Sequence, residues 1–204
     1  MMLPTHALGG LTLGLAAAAV VPEFAGVALA AGLLGGVFPD LDLYTGHRKT
    51  LHYPVYYSAL AAGALALAVL IPGSLTVGAA LVLFGAATHS VADIFGGGLE
   101  LRPWEATSDR AVYDHYRRQW VTPRRWVGYD GSPGDLLLSV TLAVPLLFVL
   151  EGVLQGVVLA SLIVGTLYTV VRRILPDIAD VVIDGFLVQV LPGYLLVHVP
   201  DRYL

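Results

Sequence analysis

The feature that most constrains the fold is an apolar run at residues 53–88, which has 36 residues without a charged side chain or a histidine. Pro72, Gly73 and Ser74 divide it, because proline and glycine end helices. A helix needs roughly 20 mostly apolar residues to cross the hydrocarbon core of a bilayer. Backbone groups find no water partners in lipid, so such segments must be helical. The run therefore predicts two membrane helices, near residues 54–71 and 75–95.

Four more uncharged runs predict further membrane helices, at residues 7–22, 24–39, 136–150 and 152–171. The chain is 57% hydrophobic and 13% charged, whereas soluble domains carry about 25% charged residues. No Lys or Arg precedes the first run, so we expect a retained helix there rather than a cleaved signal peptide. We predict an all-α, polytopic membrane bundle of about six spans in a single domain, residues 1–204.

The last part of the chain is less apolar than these six runs. Residues 178–199 contain Asp180, Asp184, Pro192 and Gly193, and their longest stretch without charge or histidine, 185–197, has only 13 residues. A segment of that length is typical of an interfacial or re-entrant element. We therefore expect an interfacial or re-entrant C-terminal segment, and a true seventh span is the alternative.

The cations before this segment all lie on one side of the predicted bundle. They follow helix two (Arg48, Lys49), helix four (six arginines within residues 102–125) and helix six (Arg172, Arg173). The positive-inside rule makes that side cytoplasmic. We predict a multi-pass protein of the cytoplasmic membrane with both termini in the cytoplasm. Residues 1–95 would form four helices, 96–134 a cytoplasmic or interfacial loop that contacts membrane lipids, and 135–204 the C-terminal helices.

Most of the histidines and several aspartates fall on the same side as the cations. They are distinct from the cations that set the predicted orientation, so their position on the same side is independent information. They come from four separate pieces of chain, at the predicted helix ends, and are His6, Asp40, Asp42, His47, His52, His89 and Asp93. Net charge is −4, so we predict no nucleic-acid partner, and the absence of cysteine excludes thiolate ligands.

These residue types are suited to a divalent metal. Imidazole nitrogens and carboxylate oxygens ligate zinc, manganese or iron. His89 and Asp93 are four residues apart, which places them on one helix face. Ionisable groups near membrane depth are costly and indicate function. A metal there can lower the pKa of a bound water to about 7, a nearby carboxylate can act as a base, and Arg48 can hold an anion such as a phosphate.

The order of these motifs resembles the membrane-bound metal-dependent hydrolases typified by the bacterial inner-membrane protein YdjM. The matching motifs are Thr5-His6, Pro39-Asp40-Leu41-Asp42, His47-Arg48 with His52, His89 with Asp93, and the glycine-rich 96–104. The pattern is also distantly similar to the zinc-dependent phospholipase C and P1-nuclease superfamily. The resemblance implies metal ligands at His6, Asp40, His52, His89 and Asp93. It implies ligand or supporting roles for Asp42 and His47.

Three functions are compatible with these residues. The first is a metal-dependent hydrolase at the cytoplasmic membrane face, acting on a phosphoester or lipid-linked substrate, with Arg48 and Asp42 as catalytic residues and zinc as the expected metal. The second is a metal or proton transporter, which the position of the polar residues at helix ends disfavours. The third is a non-catalytic membrane adaptor with a structural metal.

Overall fold

The protein is built almost entirely from α-helices. The computed structural model describes residues 1–182. The helices are α1 (Leu3–Val20), α2 (Ala25–Val37), α3 (Pro54–Leu70), α4 (Ser74–Ala92), α5 (Pro133–Val149), α6 (Gly152–Val171) and α7 (Leu175–Val182). The predicted all-α membrane fold is confirmed. Within the predicted C-terminal segment the short α7 is amphipathic, and residues 183–204 lie outside the described part.

The six apolar helices lie where the uncharged runs predicted them. Within residues 1–182, four segments are long and apolar enough to cross a membrane, namely Leu3–Val20, Pro22–Asp42, Ser74–Phe95 and Gly152–Val171. Helices α3 and α5 are apolar but shorter, with 17 residues each. Large apolar side chains on the outer faces are widely exposed, as Phe148 is at 87%. Such a surface is suited to lipid.

Small residues let α1, α2 and α4 pack backbone against backbone. A Cβ added at Gly10 would lie 2.2 Å from the carbonyl oxygen of Gly32 on α2. A Cβ added at Gly35 would lie 2.3 Å from the carbonyl oxygen of Val82 on α4. Close approach of this kind stabilises helix pairs in membranes, where dispersion forces replace the hydrophobic effect. It also brings the ends of the three helices close together.

The start of α1 is tied to α5 through a buried aspartate. Asp135 lies in the first turn of α5, and Ser132 caps that helix by accepting a hydrogen bond from the Asp135 N–H. The Asp135 carboxylate accepts hydrogen bonds from the Thr5 hydroxyl (2.6 Å) and the Met2 N–H (2.7 Å). Thr5 and Asp135 are both buried. This contact fixes the position of the neighbouring His6.

A second buried contact ties the loop before α5 to the end of α6. The Asp130 carboxylate accepts hydrogen bonds from Arg172 (3.0 Å) and from the Tyr168 hydroxyl (2.5 Å). Burial acts to raise the pKa of Asp130, but the Arg172 guanidinium and the Tyr168 hydroxyl outweigh it and hold the pKa below the usual range. Asp130 is therefore ionised at neutral pH and stabilises the fold as a carboxylate.

The arginine-rich segment after α4 contains a short β-hairpin, where the sequence predicted a loop. Strands β1 (Val112–Asp114) and β2 (Gln119–Val121) pair antiparallel. The Asp114 carboxylate accepts hydrogen bonds from the N–H groups of Tyr116 and Arg117, which stabilises the turn. The Tyr113 N–H donates to the Arg48 carbonyl at 2.9 Å. The hairpin therefore holds the Arg48 segment beside the helix ends.

Candidate metal centre

The predicted site residues meet at one end of the bundle because four helices begin or end there. His6 lies in the first two turns of α1. Asp40 lies in the 3-10 turn Phe38–Asp42 that follows α2. His52 directly precedes α3, and His89 lies in the last turn of α4, which ends just before Asp93. Hairpin-like connections between neighbouring helices thus place distant parts of the sequence at one level.

Four side chains converge on a single point. One ligand atom from each of Asp40, His52, His89 and Asp93 lies within 4.8 Å of the other three. The His89 Nε2 atom is 3.3 Å from Asp40 Oδ1 and 3.6 Å from Asp93 Oδ2. The His52 Nε2 atom is 3.7 Å from Asp40 Oδ1 and 3.3 Å from Asp93 Oδ2. Two imidazoles and two carboxylates therefore surround one small volume.

These separations fit a bound cation. Metal–ligand bonds of about 2.0–2.2 Å in a tetrahedron place the donor atoms roughly 3.3–3.6 Å apart. Of the six separations among the four atoms, the four between a histidine and a carboxylate, 3.3 to 3.7 Å, lie in or next to that range. His52 Nε2, His89 Nε2 and Asp93 Oδ2 are also buried, with no hydrogen-bond partner among the described residues. Buried polar atoms without partners are costly, and a shared cation would satisfy all three.

Each histidine is oriented by a group behind its ring. The Nδ1 atom of His89 donates to the Gly36 carbonyl at 2.6 Å, because a carbonyl can only accept. The Nδ1 atom of His52 faces Asp42 Oδ2 at 3.0 Å. Both contacts turn Nε2 toward the common point, where it can bind a cation that displaces its proton. Metal-ligating histidines are commonly held in this way.

Asp42 lies behind the site rather than in it. Its carboxylate is fully buried and accepts a hydrogen bond from the Leu51 N–H at 2.9 Å. It also contacts the Nδ1 atoms of His52 and His47, each at 3.0 Å. Both of its oxygens are therefore engaged by other protein groups. These contacts are those of a residue that supports the histidines, and the predicted roles of Asp42 as a ligand and as a catalytic residue stay predictions.

The carboxylates make this end of the bundle favourable for positive charge. Burial acts to lower the pKa of His52, but the nearby Asp42 and Asp93 carboxylates outweigh it and raise the pKa to about 9. Burial likewise opposes the charge of Arg48, but the Asp93 carboxylate outweighs it and raises the pKa. Asp93 also contacts the Met1 amino group. A cation at the common point would be stabilised by the same carboxylates.

The other predicted residues surround the four-residue cluster. His6 Nε2 contacts Asp93 Oδ1 at 3.1 Å, and its ring stacks on His89 with centroids 3.5 Å apart. His47 Nδ1 is 4.0 Å from Asp40 Oδ1. Arg48 is buried, donates to the Gly97 carbonyl at 2.7 Å and lies 3.5 Å from Asp93 Oδ2. The roles of these residues as ligands or anion binder stay predictions.

Two groups at the site had not been singled out from the sequence. The first is the Gly36 carbonyl, which orients His89. Nothing in the residue type of a glycine indicates such a role. The second is Glu100, whose two carboxylate oxygens are buried without a hydrogen-bond partner among the described residues. Glu100 lines the same cavity as Asp40, and its signal was an acidic residue directly after the glycine-rich turn.

A family model described as YdjM inner membrane protein matches residues 1–179. The chain belongs to the YdjM inner membrane protein family. No curated protein and no solved structure is significantly similar to the chain. The predicted family resemblance is confirmed, while hydrolysis and the likeness to the phospholipase C and P1-nuclease superfamily stay predictions.

Proposed function

We propose that the protein is a metal-dependent hydrolase at the cytoplasmic face of the membrane, acting on a phosphoester or a lipid-linked substrate. The observation that carries the proposal is the convergence of Asp40, His52, His89 and Asp93 within 4.8 Å, where three buried ligand atoms have no hydrogen-bond partner among residues 1–182. Two imidazoles and two carboxylates suit zinc best, and manganese or iron are alternatives. A divalent cation there would supply Lewis acidity toward a phosphoryl oxygen or a water molecule.

The residues around the cluster have complementary tasks in this proposal. Asp42 and the Gly36 carbonyl hold the two histidine rings in place. Arg48 carries a buried positive charge beside Asp93 and would bind an anionic group of the substrate. Glu100 offers a carboxylate in the cavity wall that can accept or donate a proton.

Access to the cluster supports an enzyme over a protein with a structural metal. Structural metal sites are closed by protein ligands, whereas catalytic sites keep a position for water or substrate. His52, His89 and Asp93 are almost fully buried, but the Asp40 side chain is 15% exposed and lines a cavity of about 590 Å³. A substrate could therefore approach the cluster from the Asp40 side.

Metal analysis is the first test. Detergent-purified wild type is compared with a double variant carrying His89→Ala and Asp93→Asn. Wild type should retain about one divalent ion per chain after dialysis, because four protein ligands hold a metal tightly, and the double variant should retain none. Equal metal content in the two proteins would refute the site.

A substrate panel then tests hydrolysis. It contains a phosphomonoester, a phosphodiester, a carboxylic ester and phospholipids, each incubated with the metal-loaded wild type and with the double variant. We expect turnover of at least one phosphoester by the wild type alone. A protein that binds metal and hydrolyses nothing in the panel would favour the adaptor. Metal uptake into sealed vesicles would favour the transporter.

A further inference from the structure

The cavity beside the cluster extends from charged groups into the apolar part of the bundle. One end is lined by Asp40, His47 and Arg48. The apolar part of the lining comes from the start of α1, from α2, which contributes Leu33 and Val37, and from α6, which contributes Val157, Ala160 and Val164. The cavity volume of about 590 Å³ lies within the roughly 300–1,000 Å³ typical of sites for small molecules. The cavity is thus amphipathic along its length.

The apolar end is open to the surroundings of the bundle. Val164 lines the cavity and is nevertheless 54% exposed, and Ala160, one turn before it, is also exposed. Both lie on α6, a segment long and apolar enough to cross the membrane. Around such a helix the solvent is hydrocarbon. A lipid chain is therefore the group that can enter this end from the membrane.

The charged end is suited to an anionic group. Its carboxylates already have positive partners: Asp130 contacts Arg172 at 3.0 Å, and Glu100 lies 3.8 Å from Arg125. Asp40 belongs to the proposed metal site. Arg48 Nε lies 3.5 Å from Asp93, which also belongs to the proposed metal site, and has no hydrogen-bond partner among the described residues. A bound metal together with Arg48 would attract a phosphate at this end.

We propose that the cavity binds a phosphate-bearing membrane lipid, with the phosphate between Asp40 and Arg48 and one acyl chain between α2 and α6. The lipid reaches the site sideways from the bilayer. Its chain leaves one hydrocarbon environment for another, so the chain contributes orientation, and the phosphate contributes most of the affinity. This deepens the proposed function, on which it rests, by naming the class of substrate.

Photo-crosslinking tests the proposal without requiring turnover. The protein is placed in phosphatidylcholine nanodiscs with phosphatidic acid that carries a diazirine in its acyl chain, and crosslinked peptides are mapped by mass spectrometry. The main crosslinks should fall on α2 and α6, at the cavity lining. Ala160→Trp fills the apolar end and should lower this labelling by about tenfold through steric exclusion. Ala66→Trp is the matched control on an exposed position of α3 outside the cavity, and its labelling should equal that of the wild type.

A second probe tests the phosphate. Diacylglycerol with the same diazirine chain lacks the anion and should label the cavity several-fold less than phosphatidic acid does. Equal labelling by the two probes would overturn the phosphate contact. Equal labelling of wild type and Ala160→Trp, or crosslinks distributed evenly over all lipid-facing helices, would overturn the chain site. Metal content of both tryptophan variants, measured in parallel, verifies that the helix ends remain assembled.

The outcomes separate this inference from the proposed hydrolase function. Cavity labelling by a protein that hydrolyses nothing supports lipid binding while refuting the enzyme. Hydrolysis of soluble phosphoesters, with no cavity labelling in wild type, supports the enzyme and overturns the lipid as substrate. Where both hold, Ala160→Trp should reduce hydrolysis of phosphatidic acid several-fold more than hydrolysis of a short-chain phosphoester.

Discussion

Substitution of Asp42 by asparagine distinguishes a residue that orients a ligand from one that is a ligand. The buried carboxylate accepts hydrogen bonds from the Leu51 N–H and contacts the Nδ1 atoms of His52 and His47, with distances of 2.9 to 3.0 Å. Asparagine keeps the shape but replaces one accepting oxygen by an NH₂ donor. Leu51 N–H and His52 Nδ1 share Oδ2, so an NH₂ group there would leave both without an acceptor, whereas an NH₂ group at Oδ1 would face His47. In either orientation the negative charge behind His52 disappears.

The expected magnitude follows from the position of Asp42 behind the histidine. Loss of a group that orients a metal-ligating histidine typically weakens metal affinity about 10–100-fold, which corresponds to roughly 1.4–2.7 kcal/mol. His89→Ala removes a donor atom itself and should abolish stoichiometric binding. His47→Ala leaves all four atoms of the cluster in place and should weaken binding less than either change.

Competition titration measures these affinities. Zinc is titrated into each metal-free variant in detergent at fixed pH, in the presence of a chromophoric chelator of known affinity. Asp42→Asn should still bind about one zinc ion, because the four ligand atoms of the cluster remain, and it should bind zinc more weakly than the wild type. If Asp42→Asn abolished binding as completely as His89→Ala, Asp42 would be a ligand and the reasoning would be refuted. Wild-type affinity in His89→Ala would refute the cluster itself.

Three further predictions concern packing, pH and orientation. Gly10→Ala places a methyl group against the α2 backbone and should lower the free energy of unfolding by about 1–3 kcal/mol. A Cβ at the neighbouring Gly9 meets no atom within 4 Å, so Gly9→Ala should not lower it. Thermal melts in detergent compare the two variants. Asp130→Asn should cost about 1–3 kcal/mol at pH 7. Because the folded pKa of Asp130 is lowered, this difference is present above about pH 4 and is lost as pH falls through the folded value; a difference that persists in acid would contradict the ion pair. The chain has no cysteine, so a single introduced cysteine reports the side of the membrane on which it lies. Glu151→Cys should react with an impermeant maleimide in intact cells, and Thr107→Cys should react only after lysis. The reverse pattern would invert the predicted orientation.

The helices could be predicted because their main determinant is local. An uncharged run long enough to cross a bilayer can only be helical, so the runs before and after Pro72-Gly73 correspond closely to α3 and α4. The first helix begins earlier than predicted, at Leu3 rather than residue 7. Pro4 suits a helix start, and Thr5 and His6 are satisfied by partners on other helices. These tertiary contacts make it possible to place two polar side chains in the first turns of the helix.

The members of the site could be predicted, but their separate roles could not. His and Asp at helix ends indicated a metal, and four of them converge. A carboxylate near the site can contact the metal itself, or it can contact the far side of a ligating histidine. Which of the two occurs depends on the orientation of each imidazole ring. Asp40 and Asp42 are two residues apart in one 3-10 turn, yet only Asp40 joins the cluster. The difference comes from His52, whose Nδ1 is held by Asp42, and this orientation has no signature in the sequence.

The interior below the cluster argues against transport through the bundle. A transporter site lies near the bilayer midplane, on interrupted helices, with polar access from both sides. Here the cluster lies at helix ends, and within the described part of the chain the next turns of α1 bury Leu8 and Leu11 completely. They form an apolar core with Leu146 and Val158. A cation moving down from the cluster would have to cross this core without polar ligands, at a cost that hydrocarbon imposes on any charge. The cavity instead leads sideways along α6, which is the geometry expected for a substrate that arrives from the membrane.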